Sequence, residues 1–168
     1  MRALLDVNVL IALLDAGHLH HAAATRWLAQ HAASGWASCP LTQNGCLRIL
    51  SLPSYPNPQP TAVVAERLAR AMTDASHAFW PDSISVLEPG VLRWDRVLNS
   101  RQITDAYLLA LASANGGRLV TFDRGISIDA VPTASKTNLV ILDATPRTPR
   151  RPAFHDHEHP AIPALRAA

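Results

Sequence analysis

Residues 1–15 read MRALLDVNVLIALLD. Arg2 to Leu5 is short and apolar, as a strand buried on both faces of a parallel sheet is. Asp6 interrupts it. Val7 to Leu14 resumes the apolar run, with Asn8 near the junction and Asp15 at its close. This pattern predicts a buried strand, an acid at its carboxyl end, and a helix that begins at once. In an open α/β sheet, ligands bind in the crevice outside the carboxyl ends of the strands. An aspartate delivered there is well placed for chemistry. Asp6 is equally suited to N-cap the following helix, so the choice depends on whether other acids reach the same rim.

Outward from that stretch, strand and helix signals alternate. His18 to Ala33 has a partial apolar face and ends at Gly35. Trp36 to Cys39 is a short strand closed by Pro40. Thr42 can N-cap a helix running to about Leu52, with Gln43 in its first turn. Pro53, Pro56, Pro58 and Pro60 then exclude helix and central strand and predict a surface loop. Helical spacing returns from Thr61 to about Ala75, followed by a third strand at His77 to Trp80. A further helix is expected from Glu88 to about Leu98, with Leu92 and Val97 inward. Ser100 to Gly117 is the clearest helix, stopped by Gly116-Gly117. LVTF (119–122) and LVIL (139–142) complete the strands. The alternation predicts a parallel central sheet with helices on both faces, an α/β fold.

The chain has 168 residues, 48% of them hydrophobic, which suits one domain with a proper core. Its net charge of +2 neither demands nor excludes a nucleic-acid partner. Lys136 is the only lysine, so nearly all positive charge is carried by arginine, which pairs bidentately with phosphate; genomic base composition can produce the same bias. Cys39 and Cys46 are too few for a disulfide framework and read as buried thiols of a reducing compartment. Asp6 and Asp15 break what would be the core of a signal peptide, and no run reaches membrane-spanning length. A cytoplasmic protein without a membrane segment is expected. From residue 145 the chain becomes rich in Pro, Arg and His and includes the run His155-Asp156-His157-Glu158-His159. It is expected to be a poorly packed tail beyond a domain at 1–144.

Three acids stand at comparable positions. Asp6 follows the first strand, Asp123 follows LVTF, and Asp105 lies in the first turn of the helix leading into LVTF. If these strands are parallel neighbours, the three carboxylates meet on one rim. Like charges raise each other's pKa, and a divalent cation with a preference for oxygen, Mg²⁺ or Mn²⁺, removes that penalty. Asn8 and Thr104 are candidates to orient the ligands. Arg48, Arg101 and Arg124 lie near the motifs and could hold phosphates.

LLDVNVLIALLD, PLTQNGCLRIL, ITDAYLLALA and GGRLVTFDRGI, in this order and spacing, resemble the PIN-domain ribonucleases, and within them the VapC toxins of toxin–antitoxin pairs. The resemblance covers roughly residues 1–142. It implies an α/β/α sandwich around a parallel sheet, metal-dependent cleavage of RNA, a small VapB-type antitoxin that occupies the active groove, and frequent homodimerisation. It matches Asp6, Asp105 and Asp123 to three of the family's four acids. The other, a glutamate in the helix after the second strand, falls at Gln43. An amide can offer a carbonyl oxygen but cannot act as a general base. Three alternatives stay open: three aspartates suffice, Glu88 or Asp82 substitutes, or the chain is a weak or silent enzyme. Two other readings stay open: a PIN-like module that binds RNA or protein without cutting, and a phospho-accepting receiver-like domain. The antitoxin interface is expected to bury the proline loop and the helices around Val7 to Leu28, where apolar residues are numerous.

Overall fold

The computed structural model describes residues 1–143. The tail beginning at 145, with its histidine run, lies outside the described residues. The strands are β1 (Ala3–Leu5), β2 (Trp36–Ser38), β3 (His77–Phe79), β4 (Arg118–Thr121) and β5 (Leu139–Ile141). All pair in parallel, in the order β3-β2-β1-β4-β5. β1 is central, and its three residues are buried on both faces, which is why it reads as an unbroken apolar run. After β3 the chain crosses back over β1 to place β4 on its other side. The strand order therefore reverses between β1 and β4, and the crevice of the sheet opens there. A receiver-like sheet runs in the order 2-1-3-4-5, so this topology removes that reading.

Alternate residues of each strand feed two cores. Ala3, Leu5, Trp36 and Val120 pack with α1 (Val7–Leu14), α2 (His21–His31), α3 (Pro40–Leu50) and α4 (Thr61–Met72). Leu4, Ala37 and Leu119 pack with α5 (Arg101–Ala114) and with the segments around Leu92 and Val131. Helices thus cover both faces, as an all-parallel sheet requires. Both cysteines are buried and free. Among the described residues no helix is long and apolar enough to cross a membrane.

Three local expectations need correction. Glu88 to Leu98 is not a helix; only Trp94–Arg96 forms a single 3₁₀ turn. Pro89-Gly90 breaks the segment, and Leu92 and Val97 are five residues apart, which is not a helical repeat. They do point inward. α3 begins at Pro40 instead of after Thr42, with Cys39 at the N-cap and Thr42 in the first turn, where its hydroxyl accepts from the Cys39 N–H at 3.0 Å. Proline suits this first helical position because the missing N–H has no partner there. Asp105 is the fifth residue of α5, one turn further in than expected. The proline-rich segment is a surface loop, and Tyr55 pins it to the end of α1 by donating to Asp15 Oδ2 at 2.7 Å.

Candidate active site

β1 ends at Leu5, and Asp6 both caps α1 and faces the crevice, so the two readings of this residue are compatible. Its Oδ1 accepts the Val7 N–H at 2.6 Å. Its Oδ2 accepts from Thr121 Oγ1 at 2.6 Å and from Asn8 Nδ2 at 2.7 Å. Asp6 is only 7% exposed. Burial pushes its carboxyl above the usual carboxylate range, against the pull of the Thr121 and Val7 hydrogen bonds, and the charge on Asp123 adds to the rise.

Thr121 is the residue that reading the sequence missed. It is fully buried at the end of β4. Its hydroxyl reaches Asp6, accepts from Asn8 Nδ2 at 2.9 Å and accepts the Asp123 N–H at 3.0 Å. Asn8 Oδ1 in turn accepts the Phe122 N–H at 3.2 Å. The ends of β1 and β4 are therefore stitched together by side chains at the switch point. The available signal was a hydroxyl at the end of an apolar strand, two residues before an acid.

A pocket of about 350 Å³ opens above this network, lined by Asp6, Asp105, Asp123, Asn8 and Thr104 together with Val7, Ile11, Leu41, Gly45, Arg48 and Ile49. The three predicted aspartates thus share one cavity. Asp105 is half-buried on α5; burial, then Asp6, then Asp123 push its carboxyl up to about 6. Asp123 is exposed on the rim, its Oδ1 accepting the Gly125 N–H at 2.6 Å. Of the arginines among the described residues, only Arg48 lines the pocket. Arg101 is exposed at the start of α5, and Arg124 is paired with Asp143 at 2.8 Å on the surface. Asp82 and Glu88 are exposed and do not line the pocket.

Among the described residues, no three His, Cys, Asp or Glu side chains stand close enough together to hold a metal ion as they are placed. The donor set still suits a hard cation. It is all oxygen, the carboxylates repel one another, and Mg²⁺ needs only one or two carboxylates while waters fill its other positions. Asp6, Asp105 and Asp123 are the residues that would hold it.

A family profile described as PIN domain matches residues 3–131. The chain belongs to the PIN-domain family. Ribonuclease VapC44 of Mycobacterium tuberculosis is 49% identical over 142 residues, covering 84% of this chain and all of the relative. Ribonuclease VapC39 of the same organism is 47% identical over 131 residues, covering 77% of this chain and 94% of the relative. In fold the chain is similar to VapBC2 from Rickettsia felis, solved bound to a DNA fragment from its promoter, with a TM-score of 0.57 at 14% identity over 85% of this chain and all of that one.

This PIN domain differs from the expected acid quartet on α3. Gln43, at the position the resemblance gives to the glutamate, does not reach the pocket. Its Nε2 donates to Ser38 Oγ at 3.0 Å and to Met72 Sδ at 3.4 Å, on the α4 side of α3. The α3 residues that do face the acids are Leu41, Gly45, Arg48 and Ile49, spaced as one helical face. Gly45 sits where α3 crosses α1, and a Cβ there would lie 2.7 Å from Val7 Cγ2. No acid from α3 enters this site: the helix carries none, and at the glycine that faces the acids it lies against Val7 of α1.

Two results follow from this packing. Gln43→Glu is expected to change cleavage by less than about threefold, because the new carboxylate points at Ser38 and Met72; steady-state kinetics check it. Gly45→Ala is expected to cost about 1–3 kcal/mol through overpacking against Val7, read by urea denaturation, with Val7→Ala in the same chain recovering part of the loss.

Proposed function

We propose that this PIN domain is a divalent-metal-dependent endoribonuclease, the toxin of a VapBC-type pair, using Mg²⁺ or Mn²⁺ and restrained by a small VapB-type antitoxin. The observation that carries the reading is the meeting of Asp6, Asp105 and Asp123 in one pocket at the switch point of the sheet, in a chain about half identical to named ribonucleases. A cation held there would lower the pKa of a coordinated water and offset charge developing on a phosphodiester.

The chain's own residues have separable roles. Asp6 is the fixed ligand, held by three protein donors so that its carboxylate cannot rotate. Asp105 is the adaptable one, since its proton is lost near pH 6. Asp123 stands at the rim, its backbone tied to Thr121. Asn8 and Thr121 orient the ligands, the support that metal-binding side chains usually require. Thr104, exposed on the same wall, is placed to meet substrate.

The antitoxin is assigned to the α1–α2–α4 surface. There Leu13, Leu14, Leu28, Leu68 and Ala71 line a largely apolar hollow of about 400 Å³. Homodimerisation belongs to the same reading. Light scattering with and without the co-transcribed small protein tests both, and an unchanged mass on mixing counts against the antitoxin.

Incubation of purified protein with total cellular RNA, in Mg²⁺, in Mn²⁺ and in EDTA, tests the activity. Cleavage in either metal and none in EDTA is expected. Cleavage that survives EDTA would overturn the metal site, and no cleavage under any condition, with RNA still bound, would leave a non-cutting RNA-binding module.

A further inference from the structure

The pocket has two unlike sides. One, from the ends of β1 and β4 and from α5, carries Asp6, Asp105, Asp123 and Thr104. The other, from α1 and α3, carries Val7, Ile11, Leu41 and Ile49 with Asn8 beside them, and among the described residues Arg48 is its single cation. Arg48 is exposed in the last turn of α3. Among the described residues the ion pairs are Arg70–Glu66, Arg96–Asp95 and Arg124–Asp143, so Arg48 shares a cavity with three carboxylates and pairs with none of them. A guanidinium kept there to balance the acids would contact one. Its separation leaves its donors available to a ligand.

A cation bound on the acidic side would draw one phosphate, but an RNA strand brings a phosphate on each side of every nucleoside. A pocket of this volume accommodates one nucleotide unit. An apolar wall beside a bidentate donor matches what such a unit presents: a ribose and base face next to a planar anion. We propose that Arg48 is a substrate-binding residue that grips an RNA phosphate flanking the scissile one, with the intervening nucleoside resting on Leu41 and Ile49. The proposal rests on the ribonuclease reading and adds to it which side of the pocket the strand crosses.

The test is binding without turnover. A fluorescently labelled decaribonucleotide of mixed sequence is titrated with the full chain in EDTA at several salt concentrations, for wild type, Arg48→Ala and Arg48→Lys. Arg48→Ala is expected to weaken binding about tenfold or more. The slope of log affinity against log salt should become shallower by about 0.7, the value for one lost contact to a single-stranded phosphate. Arg48→Lys should restore the slope while recovering only part of the affinity, because it keeps the charge and loses the fork. With Mg²⁺ present, the loss should fall on KM more than on kcat. If wild type binds and Arg48→Ala binds equally well with the same slope, the assignment of Arg48 is overturned while the RNA reading stands. If wild type neither binds the oligonucleotide nor cleaves RNA, both fall.

Discussion

Asp6→Asn lowers metal-dependent RNA cleavage about 10³-fold or more and leaves the fold standing. The activity loss follows from position. Asp6 is the most buried of the three aspartates and is anchored to both strands that define the crevice. A metal ion supplies several kcal/mol of transition-state stabilisation, and each 1.4 kcal/mol or so is a factor of ten in rate. The fold survives because Asn is as good an N-cap as Asp, so its Oδ1 still accepts from Val7. The other end of the amide fits less well. Asn8 Nδ2 and Thr121 Oγ1 both donate to the oxygen that the substitution replaces with an NH₂. The Thr121 hydroxyl cannot accept in exchange, because Asn8 Nδ2 and the Asp123 N–H already fill its two acceptor positions, and Asn8 would likewise face donor to donor. A cost of about 2–4 kcal/mol is therefore expected, below the stability of a domain of this size. The paired measurement is cleavage of total RNA beside a denaturant melt followed by circular dichroism. Full cleavage by the folded variant would remove Asp6 from the chemistry and with it the proposed metal site.

The features legible in the sequence were those with a strong local cause. β1, Asp6 and α1 were readable because burial on both faces forces an unbroken apolar run, and a carboxylate ending such a run stands out. Asp123 was readable for the same reason after LVTF. That the two strands are neighbours was not. Sheet order is decided by which crossover packs, and it entered only as a condition on the acids meeting. The register of α3 was the instructive failure. The helix was expected to start after Thr42, which places Gln43 just past the strand end. The Cys39 cap and Pro40 start it three residues earlier, which moves Gln43 from the first turn into the second. There it faces Ser38 and Met72, while Gly45 and Arg48 face the acids. Thr121 escaped because its importance lies in partners distant in sequence, Asp6 and Asn8, which no periodicity links.

The metal-free protein is expected to be more stable at pH 5 than at pH 7 as far as its active site is concerned, and Asp105→Asn should reduce that dependence. Asp105 titrates near 3.8 in the unfolded chain and at about 6 in the folded one. Between about pH 4 and pH 6 the folded protein holds a proton that the unfolded chain has released. Stability therefore falls as pH rises through that window, and the full cost is present at pH 7. The raised carboxyl of Asp6 acts in the same direction. Asp105 is half-exposed, so solvent offsets much of the burial penalty and screens the repulsion from Asp6 and Asp123, and the recoverable stability is on the order of 1 kcal/mol. In EDTA at pH 7, Asp105→Asn should then raise Tm by about 2–4 °C while abolishing cleavage. Added Mg²⁺ should reverse the ranking. It binds the folded wild type and stabilises it by mass action, whereas the amide variant gains less. Mg²⁺ binding by the wild type should strengthen as pH rises through about 6, because the metal-free carboxyl of Asp105 must lose its proton to bind. Thermal melts of both proteins from pH 4.5 to 7.5, in EDTA and in Mg²⁺, decide the matter. A variant less stable than wild type at pH 7 in EDTA would show that favourable contacts at Asp105 outweigh its burial and the repulsion from Asp6 and Asp123, and the case for a cation at this rim would lose its electrostatic basis.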